Sequence, residues 1–142
     1  MNIEKANIED YQIIVKMFYN FTKEVYKTMT LGPKATFHKL VLGWYAKGID
    51  IHVVKQNNKI IGFTMCYVDT FAGILNPVYR CEVTYVKPKF RKTRACYILM
   101  TEVIKRAESV GLKVHSKAST YNNTENLHKR LGAKQIFIET ER

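Results

Sequence analysis

Apolar positions along the chain recur every second residue in some stretches and every third or fourth in others, and the switches between the two mark out its elements. Asn2 to Ala6 reads as a short first strand. Asn7 with Asp10 three residues on matches a helix-capping arrangement. Ile14, Phe18, Phe21 and Val25 then make one face of a first helix of about five turns. The segment 28–33, Thr-Met-Thr-Leu-Gly-Pro, breaks it, and a second helix follows with Phe37, Leu40, Val41, Trp44 and Tyr45 apolar, ending at Gly48. Ile49 to Lys55 alternates, Gln56-Asn57-Asn58 predicts a hairpin turn because Asn tolerates the left-handed region, and Lys59 to Val68 returns, interrupted by Gly62. After a loop from Asp69 to Pro77, Tyr79–Val86 is a third strand of this group.

The stretch from Glu82 to Ile104 organises the rest. Val83 and Tyr85 share one face of the strand, and Glu82, Thr84 and Val86 the other. Pro88 stops the ladder, since it has no amide proton. Past the basic turn Phe90-Arg91-Lys92, Thr93 is the expected N-cap, and Ala95, Ile98, Leu99, Val103 and Ile104 recur at helical spacing as far as Gly111. A strand, a tight turn and a helix N-terminus together form an anion site from backbone, because the first helical amides have no partner inside the helix. Five of the eight residues from Lys87 to Arg94 are Lys or Arg.

Val114–Ser119 is the next strand, a short helix runs from Asn123 or Thr124 to Leu131 with Gly132 as its C′ residue, and Gln135–Thr140 closes the chain as a strand. The order is β-α-α-β-β-β-α-β-α-β, which predicts a mixed central sheet with helices on both faces. At 142 residues this reads as one domain, 1–142.

Composition narrows the partners. The net charge of +11 calls for an anionic one: nucleic acid, an acidic protein or a phosphorylated cofactor. No apolar run approaches the roughly 20 residues of a membrane span. The first residues lack a signal-peptide core, so a cytoplasmic protein is expected. Cys66, Cys81 and Cys96 are odd in number, far apart and without zinc spacing, which favours structural thiols. His38, His52 and His115 fall on elements where a structural role is expected.

The residues from Val86 to Met100 resemble the acetyl-CoA motif of the GNAT acetyltransferases, a strand ending in Val-x-Pro, an aromatic, then Arg/Gln-x-x-Gly-x-Gly/Ala and an apolar helix. Arg91, Arg94 and Cys96 stand at the aligned positions, so both glycines are replaced. In the family, small residues there let the CoA pyrophosphate approach the amides; here the charge of Arg94 compensates, or its bulk closes the site. Residues 122–133 are similar to the family's second signature, Asn-x-x-Ala-x-x-x-Tyr-x-x-x-Gly-Phe, with Leu131 and Gly132 matching, Ala133 in place of Phe and His128 where Tyr usually stands. The element order is also that of the GNAT fold.

The resemblance implies transfer of acetyl from acetyl-CoA to an amine, of a small molecule or a protein. It implies cofactor contacts from Tyr85, Val86, Arg91, Lys92, Thr93, Arg94, Ala95, Cys96 and Asn123, a general base at Glu82 and a proton donor to the leaving thiolate at His128. Glu82 is equally readable as a solvated strand residue, and His128 as a surface residue beside Lys129 and Arg130. Tyr26, Trp44 and Tyr45 flank the loop that walls the acceptor site in the family, and aromatics at this spacing are expected in the core. Two other readings stay open. One is a GNAT-fold binding or virion-associated module, phage-encoded, without transferase activity. The other is nucleic-acid binding through Lys87–Arg94, although no groove-reading helix or stacking platform is apparent.

Overall fold

The computed structural model of the chain describes residues 1–70, 76–116, 129, 131 and 132. Strand β1 (Asn2–Lys5) leads into a 3-10 turn, Ile8–Asp10, that runs straight into helix α1 (Tyr11–Val25). The capping expected at Asn7 is present: its N–H donates to Asp10 Oδ2 at 2.9 Å. Ile14, Val15 and Met17 are buried, with Phe18 and Phe21 packed against the same cluster.

Helix α2 (Lys34–Ala46) begins after Pro33, whose extended backbone suits the position before a helix. It buries Phe37, Val41 and Trp44, at i, i+4 and i+7. Leu40 was expected among them and is instead 48% exposed. At about 100° of rotation per residue Leu40 lies about 40° beyond Trp44, past the edge of the stripe on the side away from Val41. Phe18 fastens the two helices, its ring centroid 5.3 Å from Phe37 and 4.7 Å from Trp44.

Strands β2 (Asp50–Gln56) and β3 (Lys59–Asp69) form the predicted hairpin. Asn57 and Asn58 both have positive φ, 53° and 64°. A two-residue turn with this pair of dihedrals matches the right-handed twist of its strands. Strand β4 (Val78–Val86) lies antiparallel to β3, helix α3 (Ala95–Ser109) crosses over, and β5 (Val114–Ser116) returns parallel to β4. Sheet order is β1-β2-β3-β4-β5. The expected parallel neighbour of β4 is thus present, paired Tyr79–Val114, Arg80–His115 and Cys81–Ser116.

The sheet separates two sets of core residues. Toward α1 and α2 it presents Ile51, Val53, Phe63, Met65, Val83 and Tyr85. Toward α3 it presents Cys66, Tyr79 and Cys81 against Met100, Val103 and Ala107, and Val54, Ile61 and Val86 against Ala95 and Leu99. Helices on both faces of a mixed sheet are what the element order predicted. Helix α3 ends as its glycine foretold. Gly111 has φ of 70°, Leu112 N–H reaches Ala107 O at 2.9 Å, and Gly111 N–H reaches Glu108 O at 3.1 Å.

The last helix and strand of the expected order fall on residues outside those described. Of that segment, Leu131 packs against the Cys66–Val103 cluster and Gly132 has φ of 80°, the conformation expected of a C′ residue. No helix among the described residues is long and apolar enough to cross a membrane.

Candidate active site

The two ends of β4 present their side chains out of phase, and the cause is one residue. Met65 pairs with Val83 and Cys66 with Cys81, so Glu82 has no partner on β3. The extra residue is a β-bulge. Past it, Thr84 and Val86 continue on the α3 face; before it, Cys81 and Tyr79 take that face instead of following Val83 and Tyr85. The expected two-face alternation therefore holds from Val83 to Val86 and breaks at Glu82.

Buried polar side chains hold the bulge. Thr64 Oγ1 donates to Val83 O at 3.0 Å and lies 3.2 Å from Cys81 Sγ. Thr84 Oγ1 lies 3.1 Å from Cys81 Sγ and 3.3 Å from Met100 Sδ. Glu82 is half-buried at this point.

Beyond Val86 the chain turns tightly. Lys87 N–H donates to Ile61 O at 2.8 Å, Phe90 N–H to Lys87 O at 2.8 Å and Thr93 N–H to Phe90 O at 3.1 Å. Helix α3 starts at Ala95, with Arg94 in the residue position before it. Thr93 nonetheless supplies capping: its hydroxyl accepts from Ala95 N–H at 3.3 Å and donates to Phe90 O at 2.5 Å. For the backbone N–H groups of Lys92, Arg94, Cys96 and Tyr97 no backbone or side-chain acceptor is found among the described residues. Four open amides at the positive end of a fifteen-residue helix is an arrangement that favours an anion.

The basic side chains of this turn do different things. Arg91 Nε donates to Val86 O at 2.8 Å, Arg91 Nη2 pairs with Glu24 Oε1 at 2.7 Å, and the guanidinium lies 5.3 Å from the Tyr85 ring. Arg94 lies over Tyr97, 5.7 Å from its ring, and Tyr97 is 45% exposed. Lys89 and Lys92 are exposed. Burial, with the nearby Glu24 carboxylate, raises the pKa of the Tyr85 phenol. Burial pushes the Cys96 thiol up to about 11. Cys96 therefore stays protonated near neutral pH and is no nucleophile there.

A model of the acetyltransferase (GNAT) family matches residues 17–133. The chain belongs to the GNAT acetyltransferase family. No curated protein sequence matches it. Solved structures match over nearly the full length at low identity, which is a likeness of fold. A predicted acetyltransferase with acetyl-CoA from Clostridium acetobutylicum shares 14% identity at a TM-score of 0.79, covering 99% of this chain and 95% of that one. The ribosomal-protein-alanine N-acetyltransferase of Brucella melitensis biovar Abortus 2308 shares 12% at 0.76, covering 100% and 99%. The aminoglycoside 6′-N-acetyltransferase of Acinetobacter haemolyticus shares 16% at 0.72, covering 100% and 99%.

Within this GNAT domain, the residues singled out by sequence fall into three groups. Tyr85, Val86, Arg91, Lys92, Thr93, Arg94, Ala95 and Cys96 lie together at the end of β4 and the start of α3. Glu82 stands apart from them, on the bulge. His128 and Asn123 lie outside the described residues. Of the aromatics expected in the core, Trp44 is buried and Tyr45 packs against the same cluster, its hydroxyl donating to Asn7 O at 2.6 Å, while Tyr26 is half-buried and joins none of the core clusters described. His52 is buried as a structural residue would be. Glu24 was not foreseen, because nothing near it in sequence marks an acid 67 residues from its partner.

None of the residues from Pro88 to Cys96 has a positive φ, so the turn needs no glycine for its backbone. Arg94 has φ of −80°, and its guanidinium lies over Tyr97. Both replacements therefore leave the backbone in ordinary conformations.

Proposed function

We propose that this chain is an N-acetyltransferase that takes acetyl from acetyl-CoA to an amine. The carrying observation is the set of open amides of Lys92, Arg94, Cys96 and Tyr97 in the turn and at the start of α3, within a family match that spans them. The pyrophosphate is bound by those amides, with charge supplied by Lys89, Lys92 and Arg94. Strand geometry supports the placing of the pantetheine arm. Lys87 N–H faces β3, so Val86, one residue earlier, turns its N–H and C=O to the β5 side. An extended amide chain adds to a strand edge as another strand does.

The reaction is acyl transfer. The neutral amine attacks the thioester carbonyl, the C–S bond breaks, and the thiolate leaves. Glu82 accepts the amine proton, directly or through water, from its place on the bulge. His128 donates a proton to the thiolate. Tyr85 and Ala95 shape the cofactor's bed, and Asn123 belongs to the same site.

The test is ligand-induced stabilisation. A ligand that binds only the folded state adds about 2.7 kcal/mol at a hundredfold excess over its Kd. Acetyl-CoA should raise the melting temperature, and dephospho-CoA should raise it less. Thiol release in the presence of an amine then reports transfer. No shift at millimolar acetyl-CoA would overturn this reading in favour of a GNAT-fold module without activity.

A further inference from the structure

Arg91 is the residue of the basic turn whose guanidinium is already committed. Its Nε holds Val86 O, its Nη2 holds Glu24 and its face lies against Tyr85, so β4, the turn and α1 meet on one guanidinium. The peptide between Val86 and Lys87 is fixed at both ends, by Arg91 on its oxygen and by Ile61 O on its nitrogen, each at 2.8 Å. That peptide sets the direction in which the chain leaves the sheet. It also sets the orientation of the Val86 edge that faces β5.

Glu24 is bound to this arrangement. Its Oε1 takes the Arg91 bond, while its Oε2 is buried and has no hydrogen-bond partner among the described residues. Withdrawing Arg91 toward a phosphate would leave the carboxylate partly buried with neither oxygen paired, and an uncompensated buried charge is costly. It would also free Val86 O and uncover the Tyr85 ring. Among the described residues, Lys89 and Arg94 touch only rings of their own turn and helix, and Lys92 has no ion pair.

We infer that Arg91 is a positioning residue, clamped by Glu24 to hold the Val86 peptide, and that it is not a ligand of the cofactor's phosphates. The inference rests on the acetyl-CoA reading and changes the role of one residue within it. A phosphate ligand restrained by Glu24 and a clamp built with Glu24 predict opposite signs. If Arg91 met phosphate, Glu24→Gln would release it and tighten acetyl-CoA, Arg91→Gln would loosen it, and Arg91→Lys would keep the charge and most of the affinity. A clamp needs both partners and the planar fork, which Lys lacks.

The experiment is calorimetric titration of acetyl-CoA into wild type, Glu24→Gln, Arg91→Lys, Arg91→Gln and the Glu24→Gln/Arg91→Gln double variant. Titrations are run well below each variant's melting temperature and at two salt concentrations. The expected result is a loss of roughly tenfold in each single variant, Arg91→Lys included. The double variant is no weaker than either single, as for residues acting as one unit. The salt dependence stays that of wild type, because no phosphate contact has been removed. Tightening in Glu24→Gln, or wild-type affinity in Arg91→Lys, overturns the inference. So does unchanged affinity in all variants with a lowered melting temperature, which is the mark of a purely structural pair. Absence of binding by wild type removes the acetyl-CoA reading itself, an outcome distinct from all of these.

Discussion

Gly62 lies against the carbonyl of Tyr85: a Cβ on Gly62 would stand 2.7 Å from that oxygen, and close to Val86 Cγ2 and Val54 Cγ1 as well. The glycine is needed here for space. Its neighbour is strand backbone, which cannot swing aside as a flexible side chain would. Gly62→Ala should therefore cost about 1–3 kcal/mol, the range for overpacking a close-packed interior. It should also weaken the melting-temperature response to acetyl-CoA, because the residues displaced are Tyr85 and Val86. Urea denaturation checks the first effect; an unchanged midpoint would mean that β3 and β4 separate freely at this end.

His52 gives the fold a pH dependence. Burial holds its pKa below the ordinary histidine value and Arg106 adds to the effect, while Glu102 and Asp50 oppose it and Lys5 assists slightly. In the window between the lowered folded value and the unfolded value near 6.5, the unfolded chain binds more protons than the folded one. Stability is therefore fully present above about pH 6.5 and falls as pH drops through the folded value. Melting curves from pH 7.5 to 5 should show this decline, and His52→Gln should flatten it.

The hairpin turn offers a test by backbone conformation alone. Asn58 has φ of 64°. Asn58→Gly should equal or slightly exceed wild type in stability, whereas Asn58→Val should lose about 1–2 kcal/mol, the cost of a left-handed residue with a branched Cβ. Equal stability of the two variants would show that the turn rearranges.

For the proposed chemistry, His128→Phe should lower kcat with little change in acetyl-CoA affinity, since the proton is given in the transition state. General acid catalysis is worth about 10²–10⁴-fold, so a loss under about threefold is too small for the role. His128→Tyr should retain substantial rate, with the alkaline limb of the pH profile displaced upward. Glu82→Gln should lower the plateau and remove the acidic limb. Wild-type profiles in these variants would leave Glu82 and His128 without a catalytic role.

Much of this fold could be read from local pattern. The Asn7–Asp10 cap, the Phe37–Val41–Trp44 stripe, the Asn57–Asn58 turn and the Gly111 helix end are each decided by residues within a few positions, and each is formed. The end of β4, the turn at Pro88 and the start of α3 were legible for the same reason, since a strand, a proline, a turn and a helix start are local events.

Tertiary structure decided the rest. The bulge at Glu82 exists only in the pairing of β4 with β3, since a register is a property of two strands. The exposure of Leu40 depends on which side of α2 packs against α1. Arg91 looked like any other cation of the turn until Glu24, 67 residues earlier, was brought against it. A side chain's chemical type is set by sequence, but whether its charge is free or already engaged depends on which distant element folds beside it.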